Sequence, residues 1–409
     1  MRSPRWWCAV AAVLAALLVP ATAAAQGGPR VLRVDPTTGG IRVLAAGAPW
    51  TTLGGLAVGP TGTLYVANQS PPGPRPRGGI YSLTAPGFAI TPVATTAPTA
   101  IPMAVVSAGS SLFSLDEDRV LAIGTTSPLV QRIVTSGGLY DQYGANPQFG
   151  ALSGTTLYTT ASESCQSAEG GGAFVIAVDT TTGMQSLTKR LGCAGLGGIA
   201  VTPTGTLLVA QASRRARIVE LNPATGAVTT VTSGGSLEAP QGIALDAAGD
   251  ILVADLANGV VAVSRDSGEQ SPVTARGAVN EAAGIAVGAD GGIYVSDGGV
   301  PPRLRASAAK RQRFRSSGIA FTAGCNRRCV VGYAVTLRFP SGSPFNDAGA
   351  FRSVSGRRTL RVKLPRRINR RIARTLRQGR TVGVKLNLSA GDPRSGVAAK
   401  RATLRLRLV

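Results

Sequence analysis

The sequence predicts an all-β fold in two parts, a repeat array followed by a smaller basic domain with one helix. A pair of short apolar strands joined by a turn recurs along residues 55–297 at intervals of 42 to 50 residues. The 409 residues include 53 glycines and 26 prolines but only 5% aromatic residues, which indicates many turns between short strands. Hydrophobic residues make up 44% of the chain, too many for a disordered protein.

Charge divides the chain near residue 302. Residues 1–302 carry 16 basic and 18 acidic residues, whereas residues 303–409 carry 27 basic and 2 acidic residues, a net charge of +25. We therefore expect a repeat domain at 30–298, a linker at 299–315 and a basic domain at 316–409. Because the chain has no His, Ser-His-Asp triads, Cys-His pairs and His-ligated metal sites are excluded.

The first 25 residues have the composition of a secretory signal peptide. Arg2 and Arg5 precede an apolar run from Cys8 to Ala21, and the small residues Ala23–Ala25 follow it. The run is shorter than the roughly 20 residues that a spanning helix needs, and no second run of that length follows. We expect cleavage after Ala25 and a secreted or cell-envelope-associated protein without a transmembrane segment.

The repeat is a hairpin of two short strands around a Pro/Thr/Asp/Gly turn, the chemistry that a tight turn requires. Four clear copies occur, and two weaker ones lie at Ala104–Asp116 and Ala151–Ala161. The clear copies are Gly55–Asn68, Gly198–Gln211, Gly242–Asp255 and Gly284–Asp297.

A second type of hairpin lies between these copies, with alternating apolar residues and a turn such as D-P-T-T-G or N-P-A-T-G. Examples are Arg30–Leu44 and Arg217–Val231. Six hairpins of each type make six four-stranded blades of about 45 residues, which predicts a six-bladed β-propeller. Because the array begins on an outer hairpin and ends on an inner one, the first and last hairpins must share a blade, which removes open edges.

The pattern G-I/L-A-V/L-x-x-x-G-x-L/I-Y/L-V-A/S-D/N/Q, followed by R-I-V-x-L/V-x-P-x-T-G, resembles NHL repeats. It also looks like the six-bladed propellers of the senescence-marker and gluconolactonase group and of bacterial streptogramin lyases. The resemblance covers roughly Arg30 to Gly298 and implies the fold, which hosts binders, lactonases and lyases alike. The similar lyases rely on His, which is absent here, so lyase activity is not expected.

A polar residue ends the inner hairpin of most repeats, and two roles are open for this set. Oxygen ligands that recur on one propeller face could gather on Ca²⁺ or Mg²⁺, as the resemblance to lactonases implies. Alternatively, each side chain holds its own turn, which repeat structure alone explains, and we favour this role and no cofactor. Only Asp35 is available as the early acidic ligand of the lactonase pattern, and Ala161 interrupts the set, with Glu163 two residues on. The metal candidates are Asn68, Asp116, Asp255 and Asp297, with Gln211 at the equivalent position.

Export favours disulfides, and four cysteines remain after cleavage. Cys165 and Cys193 follow the second and fourth strands of one repeat, which brings them to one end of the blade. Cys325 and Cys329 enclose three residues between predicted strands of the basic domain. We expect Cys165–Cys193 and Cys325–Cys329 disulfides, because two thiols without other Cys or His make a poor zinc site.

The basic domain predicts strands at 318–322, 330–339, 359–364, 381–389 and 402–409, with a Cys turn after the first. A helix is expected at Pro365–Gln378, with proline in its first turn and Gly379 at its C-cap. Its apolar stripe, Ile368, Ile372 and Leu376, can cover a sheet. The order looks like the small immunoglobulin-like modules at the ends of secreted actinobacterial proteins, which implies a β-sandwich-like domain with one helix.

Arginine density is the one functional signal of this domain. Such density attracts polyanions through counterion release, although a merely solvated basic face would have the same composition. Aromatic residues are absent from the Arg-rich stretch, so base stacking and specific nucleic-acid binding are not indicated. The candidate polyanion-binding residues are Arg366, Arg367, Arg370, Arg371, Arg374 and Arg377.

Two classes of function follow. The first is a secreted, monomeric, non-enzymatic propeller that binds a protein or small molecule on one face, with the basic domain on anionic envelope polymers. The second is a divalent-metal-dependent, lactonase-like hydrolase on the propeller axis. The lack of His and the interrupted ligand set favour the first.

Overall fold

The computed structural model describes most of the chain between residues 28 and 409. The predicted signal peptide, Cys165 and Cys193 lie outside the described residues. These are 28–69, 78–94, 101–125, 130–162, 172–192, 195–212, 215–299, 304–391 and 398–409.

The first part of the chain is built of short strands, with one turn of helix, α1, at Leu139–Gln142. The strands are β1 (Arg30–Val34), β2 (Ile41–Ala46), β3 (Thr52–Val58), β4 (Leu64–Gln69), β5 (Gly79–Thr84), β6 (Ala89–Ala94), β7 (Ala104–Ala108), β8 (Ser111–Leu115), β9 (Arg119–Gly124), β10 (Gln131–Ser136), β11 (Asn146–Ser153), β12 (Thr156–Ser162), β13 (Ala173–Asp179), β14 (Gln185–Arg190), β15 (Gly195–Val201), β16 (Leu207–Ala212), β17 (Arg217–Leu221), β18 (Val228–Ser233), β19 (Pro240–Leu245), β20 (Ile251–Asp255), β21 (Gly259–Val263), β22 (Gln270–Pro272), β23 (Ala282–Val287) and β24 (Ile293–Asp297).

These strands form six four-stranded antiparallel sheets within the described residues. Five sheets are built from consecutive strands, and the sixth joins the two ends of the array in the order β2-β1-β24-β23. Arg30 pairs with Asp297 and Val34 with Ile293 in this sheet. The first strands β3, β7, β11, β15, β19 and β23 contact one another in sequence, and β23 contacts β3. This closed ring of sheets fits a β-propeller. The first and last hairpins share a sheet, as the order of outer and inner hairpins predicts.

Glycine allows the first strands to approach closely at the centre of the ring. A Cβ atom on Gly284 would lie 2.8 Å from the carbonyl oxygen of Gly54, in the neighbouring sheet. The Ser296 hydroxyl accepts the Gly284 N–H and donates to that same oxygen, each at 2.7 Å, and so ties the two sheets together. The G-I/L-A motif therefore reflects backbone contact between sheets as well as turn chemistry.

The basic domain has its own strands and its own core. A cluster of buried residues that includes Phe321, Val335, Ile372 and Leu386 draws all its members from residues 304–408. The elements are β25 (Leu304–Ser307), β26 (Arg311–Gln312), β27 (Ile319–Arg338), β28 (Phe345–Val362), α2 (Arg366–Arg377), β29 (Val382–Gly391) and β30 (Ala398–Leu408).

All six strands belong to one hydrogen-bonded sheet in the order β25-β27-β29-β30-β26, with β28 on the other edge of β27. The immunoglobulin-like, sandwich-type architecture stays a prediction. The predicted Cys turn is wrong, because β27 runs through both cysteines without reversing. The three residues between the cysteines bulge instead, since Cys325 pairs with Gly356 and Cys329 with Val354 on the partner strand. The strand predicted at 359–364 also begins earlier than expected, since β28 pairs with β27 from Phe345 onward.

Helix α2 packs one face on the sheet. Ile368 and Ile372 are buried and Leu376 is partly buried against the domain core, as the apolar stripe predicts. Pro365 precedes the first helical residue, one position earlier than expected. Gly379 has a φ of 70° and its N–H donates to Leu376 O, while the Arg380 N–H donates to Thr375 O. This pair of bonds is a Schellman motif and ends the helix. Among the described residues, no helix is long and apolar enough to cross a membrane.

Candidate functional site

The polar residues that end the second strands are all buried. Asn68, Asp116, Gln211, Asp255 and Asp297 have no exposed surface, and each lies near or directly after the end of the second strand of a different sheet. An unpaired buried polar group of this kind costs about 1 to 3 kcal/mol, so most such groups in folded proteins are hydrogen-bonded. Their hydrogen bonds therefore show what each of them does.

Asn68 and Asp255 hold the loops that enter their own sheets. The Asn68 Oδ1 accepts the Thr51 N–H at 2.8 Å, and its amide donates to Pro49 O at 3.2 Å. Both partners precede β3. Asp255 accepts four backbone N–H groups, two before β19, at 2.9 and 2.8 Å, and two after β20, at 2.9 and 3.0 Å. The oxygens of both side chains are occupied by the protein itself.

Asp297 closes the ring. Its Oδ2 accepts the Arg30 Nε at 2.7 Å, and its Oδ1 accepts the N–H groups of Asn280 at 3.1 Å and Gly299 at 2.8 Å. Burial raises the pKa of this carboxyl, and the Arg30 charge opposes that rise. The acid therefore ties the first strand of the array to the last.

Asp116 and Gln211 differ from the others because each has a buried atom without a hydrogen-bond partner. The Asp116 Oδ1 accepts the Ser114 hydroxyl at 2.9 Å, while its Oδ2 has no partner among the described residues. Burial raises the pKa of this carboxyl, and the Ser114 bond acts against it. The Gln211 Oε1 accepts the Arg217 Nε–H, whereas the Gln211 Nε2 has no partner among the described residues.

The structure does not gather these residues around one point. No group of three or more His, Cys, Asp or Glu side chains suited to a metal ion occurs in the described ranges. Ca²⁺ takes six to eight oxygen ligands, whereas the Asp116 Oδ2 is a single unoccupied oxygen. Asp35 holds its own turn, because its Oδ1 accepts the N–H groups of Thr37 and Thr38 at 2.9 and 2.8 Å.

The cysteines divide into a described and an undescribed pair. Cys325 and Cys329 form a disulfide, which confirms that prediction. Both are buried in the core of the basic domain. The Cys165–Cys193 disulfide involves residues outside the described ranges and stays a prediction.

Five of the six candidate arginines on α2 are exposed, and one has a structural role. Arg371 is half-buried, with its guanidinium 3.8 Å from the ring centroid of Phe339. Its two terminal nitrogens donate to Ser343 O at 3.1 Å and Ser341 O at 3.0 Å. Arg371 therefore holds the loop between β27 and β28. The exposed arginines are Arg366, Arg367, Arg370, Arg374 and Arg377.

A second basic surface, which is not among the predicted site residues, lies on the face of the sheet away from α2. The buried residues of β29 and β30, such as Val384 and Leu406, belong to the core that α2 covers, so the alternate residues face the other side. There they line an open cleft of about 830 Å³. The L-R-L-R-L run at 404–408 is the sequence pattern that could have predicted this surface, since alternation at period two places both arginines on one face of a strand. The basic residues of the cleft are Lys310, Arg311, Arg338, Lys385, Arg405 and Arg407.

Among the described residues, the positive charge of the basic domain is not neutralised by ion pairs. The ion pairs of the described residues, such as Arg30–Asp297 and Arg265–Glu220, all lie in the ring of sheets. Asp347 is the acidic residue in the described part of the basic domain. It pairs with the core-facing Val335, so it lies on the face opposite the cleft. Both basic surfaces are thus free to attract anions.

A scan against protein-family models finds no match to this chain, and a search of curated proteins finds none either. Among solved structures, a Bacteroides thetaiotaomicron protein of unknown function is 13% identical, with a TM-score of 0.48 over 62% of this chain and 70% of that chain. A catalytically inactive virginiamycin B lyase from Staphylococcus aureus is 14% identical, with a TM-score of 0.46 over 67% and 96%. The β-propeller domain of Cps50 (Swd1) from Myceliophteria thermophila is 14% identical, with a TM-score of 0.40 over 64% and 88%. Similarity at this level carries no conclusion about activity. The chain combines a closed ring of four-stranded sheets with a basic, disulfide-bonded β domain.

Proposed function

We propose that this protein is a secreted, non-enzymatic binding protein whose basic domain associates with anionic polymers of the cell envelope. One observation carries the proposal: residues 303–409 bear a net charge of +25, and none of the described Lys and Arg side chains in this range forms an ion pair. Exposed, uncompensated cations of this density attract polyanions over a Debye length of about 8 Å at physiological ionic strength.

The ring of sheets is the scaffold in this proposal. We take it to be a six-bladed propeller of the NHL-like type that displays a face for a protein or small-molecule ligand. A structural role for its buried strand-end residues is supported by their hydrogen bonds. The side-chain oxygens of Asn68, Asp255 and Asp297 accept hydrogen bonds from neighbouring loops and from Arg30. The lactonase-like alternative would need these oxygens for a metal ion.

The test compares the full chain with a chain that ends at residue 299. Both should fold, because the buried clusters of the ring contain no residue of the basic domain. On a teichoic-acid surface or a heparin column, the full chain should be retained at low salt and elute steeply as salt rises, because exposed charge contacts are screened. The shorter chain should flow through.

Equal retention of the two chains would contradict the proposal, and so would no retention of either chain at low salt. Calorimetric titration with Ca²⁺ and Mg²⁺ addresses the hydrolase alternative directly. Tight binding of either ion to the truncated ring would favour the hydrolase.

A further inference from the structure

The cleft on the outer face of the basic sheet has positive charges in direct cross-strand register. Lys385 on β29 pairs with Arg405 on β30, and Arg407 on β30 pairs with Arg311 on β26. Neighbouring strands lie about 4.8 Å apart, and like charges placed directly opposite destabilise a sheet. No ion pair to any of these four side chains occurs in the described ranges, so the repulsion is not relieved within the protein.

A row of three paired residues across β27, β29 and β30 gives the cleft its shape. Arg338 on β27 pairs with Gly383 on β29, and Gly383 pairs with Arg407 on β30. Two arginines therefore stand on either side of a position without a side chain, about 10 Å apart across three strands. A Cβ atom on Gly383 would meet only Arg338 atoms, the nearest at 3.7 Å, so a side chain could be accommodated there. Gly383 is the floor of the cleft.

We infer that this cleft binds the phosphate groups of an extended anionic polymer, an inference that rests on the proposed function. An anion seated over Gly383 would have cations from three strands around it: Arg338, Arg407 and Arg311. An internal phosphate of such a polymer carries its charge on two non-bridging oxygens and adds two bridging oxygens around a tetrahedral centre, so its acceptors point to different sides, whereas the two oxygens of a carboxylate lie in one plane. Guanidinium groups suit this role because their planar fork donates two parallel hydrogen bonds.

The cross-strand pair of Lys385 and Arg405 extends the site along the strands. Lys385 and Arg405 lie two residues from Gly383 and Arg407, about 7 Å further along the sheet. One phosphate over Gly383 and another beside the Lys385–Arg405 pair would relieve both like-charge contacts. The geometry thus fits a linear polymer with repeated phosphate groups.

The test uses the full chain and inorganic polyphosphate as the probe. A cleft variant, Lys385→Gln/Arg405→Gln/Arg407→Gln, is compared with a helix variant that loses the same charge, Arg366→Gln/Arg367→Gln/Arg370→Gln. The cleft variant should bind polyphosphate about tenfold or more weakly than the wild-type protein, and the slope of log K against log salt should fall by about 2, for three lost phosphate contacts. The helix variant should show a clearly smaller loss of affinity for polyphosphate and a clearly smaller decrease in the salt slope. The melting temperature of the cleft variant should not fall, because its substitutions remove like-charge contacts.

A third variant separates shape from charge. Gly383→Val leaves the net charge unchanged and fills the floor of the cleft, so it should also weaken polyphosphate binding several-fold. Wild-type affinity in Gly383→Val, or an equal or larger loss in the helix variant, would overturn the cleft while leaving the proposed function in place. Polygalacturonate of matched length, which carries carboxylates, should bind more weakly than polyphosphate, and equal affinity would overturn the assignment to phosphate. If the wild-type chain binds neither these polymers nor a teichoic-acid surface, the proposed function fails as well.

Discussion

The guanidinium of Arg30 lies 2.7 Å from the carboxylate of Asp297, and these two residues are 267 positions apart in the chain. The Asp297 side chain is fully buried, and that of Arg30 is 15% exposed. The ion pair therefore lies inside the sheet that closes the ring. Asp297 also accepts two backbone N–H groups, so removal of Arg30 would leave a buried and only partly satisfied charge.

Arg30→Met should lower the free energy of unfolding by about 3 kcal/mol, because breaking one partner of a buried ion pair leaves the other uncompensated. Arg33→Met is the matched control on the same strand. Its ion pair with Asp290 is 2.9 Å long but 35% and 51% exposed, so its loss should cost about 1 kcal/mol or less. Urea denaturation of the ring, residues 28–299, measures both. Equal losses would contradict the role of Arg30 in closing the ring.

Gly284→Ala should destabilise the ring by about 1 to 3 kcal/mol, because overpacking forces the backbone to move. Its Cβ would meet three atoms of Gly54, Gly55 and Leu56 at 2.8 to 2.9 Å. Gly87→Ala is the control, since a Cβ there meets nothing within 4 Å. Thermal unfolding of the two variants measures the difference. A Gly284→Ala protein as stable as Gly87→Ala would show that the sheets can separate at the centre without loss.

Asp116 should make stability depend on pH with a particular sign. Burial raises its pKa above the ordinary 3.8, so the stability that this group contributes is fully present below pH 3.8 and is lost as pH rises through the raised value. Asp116→Asn does not titrate. Its free energy of unfolding, relative to the wild-type protein, should therefore increase as pH rises from below 3.8 towards neutral.

Asp35→Asn is the control of opposite sign. Backbone hydrogen bonds, first from Thr38, lower the pKa of Asp35, so its contribution is present above pH 3.8 and is lost as pH falls through the lowered value. Relative to the wild-type protein, this variant should lose stability as pH rises over that lower range. Denaturant unfolding at a series of pH values measures both trends, and parallel trends would refute the burial of a charged Asp116.

Arg371 and Arg370 are adjacent in sequence but should respond differently to substitution. Arg371→Gln removes a contact with the Phe339 ring and two hydrogen bonds to the 341–343 loop, so it should cost about 1 to 2 kcal/mol. Arg370→Gln changes an exposed side chain and should stay within about 0.5 kcal/mol. Urea denaturation distinguishes them. Similar small effects would show that Arg371 is only part of the solvated basic face.

The proposed secretion predicts that the four thiols of the mature protein are all oxidised. Peptide mapping without reduction should give Cys325–Cys329 and, outside the described residues, Cys165–Cys193. Native alkylation should not modify Cys325 or Cys329, because both are paired and buried in the domain core. A disulfide between the two domains, or four reactive thiols after export, would contradict this pairing.

The sequence predicts the ring well because its signals are local and repeated. Each hairpin carries its own turn residues, and the phase of the repeat alone implies that Arg30–Val34 must pair with the strand ending at Asp297. The course of the chain through Cys325–Cys329 could not be obtained in the same way. A short disulfide loop is compatible with a turn or with a bulge, and only the pairing of β27 with β28 selects the bulge.

The candidate site was harder to predict because its geometry depends on contacts between residues that are far apart in the sequence. The arginines of α2 are dense in sequence, so they were easy to identify, yet Arg371 is held by a ring and two carbonyl groups from a distant loop. The cleft draws its cations from four strands, and Arg311 and Arg407 are nearly a hundred residues apart in the chain but adjacent in the sheet. Charge convergence of this kind depends on strand register, which composition does not contain.

The pairing of β1 with β24 also sets an order of events during folding. β1 can pair with β2 early, but its other edge has no partner until residues 293–297 are available, so the ring cannot close before nearly all of its chain is present. Until then each end of the array exposes an unpaired strand edge, the form in which β proteins most readily join the wrong neighbour. Contacts between residues that are far apart in the chain form slowly. The pairing of the last hairpin with β1 is therefore the step that completes the native ring.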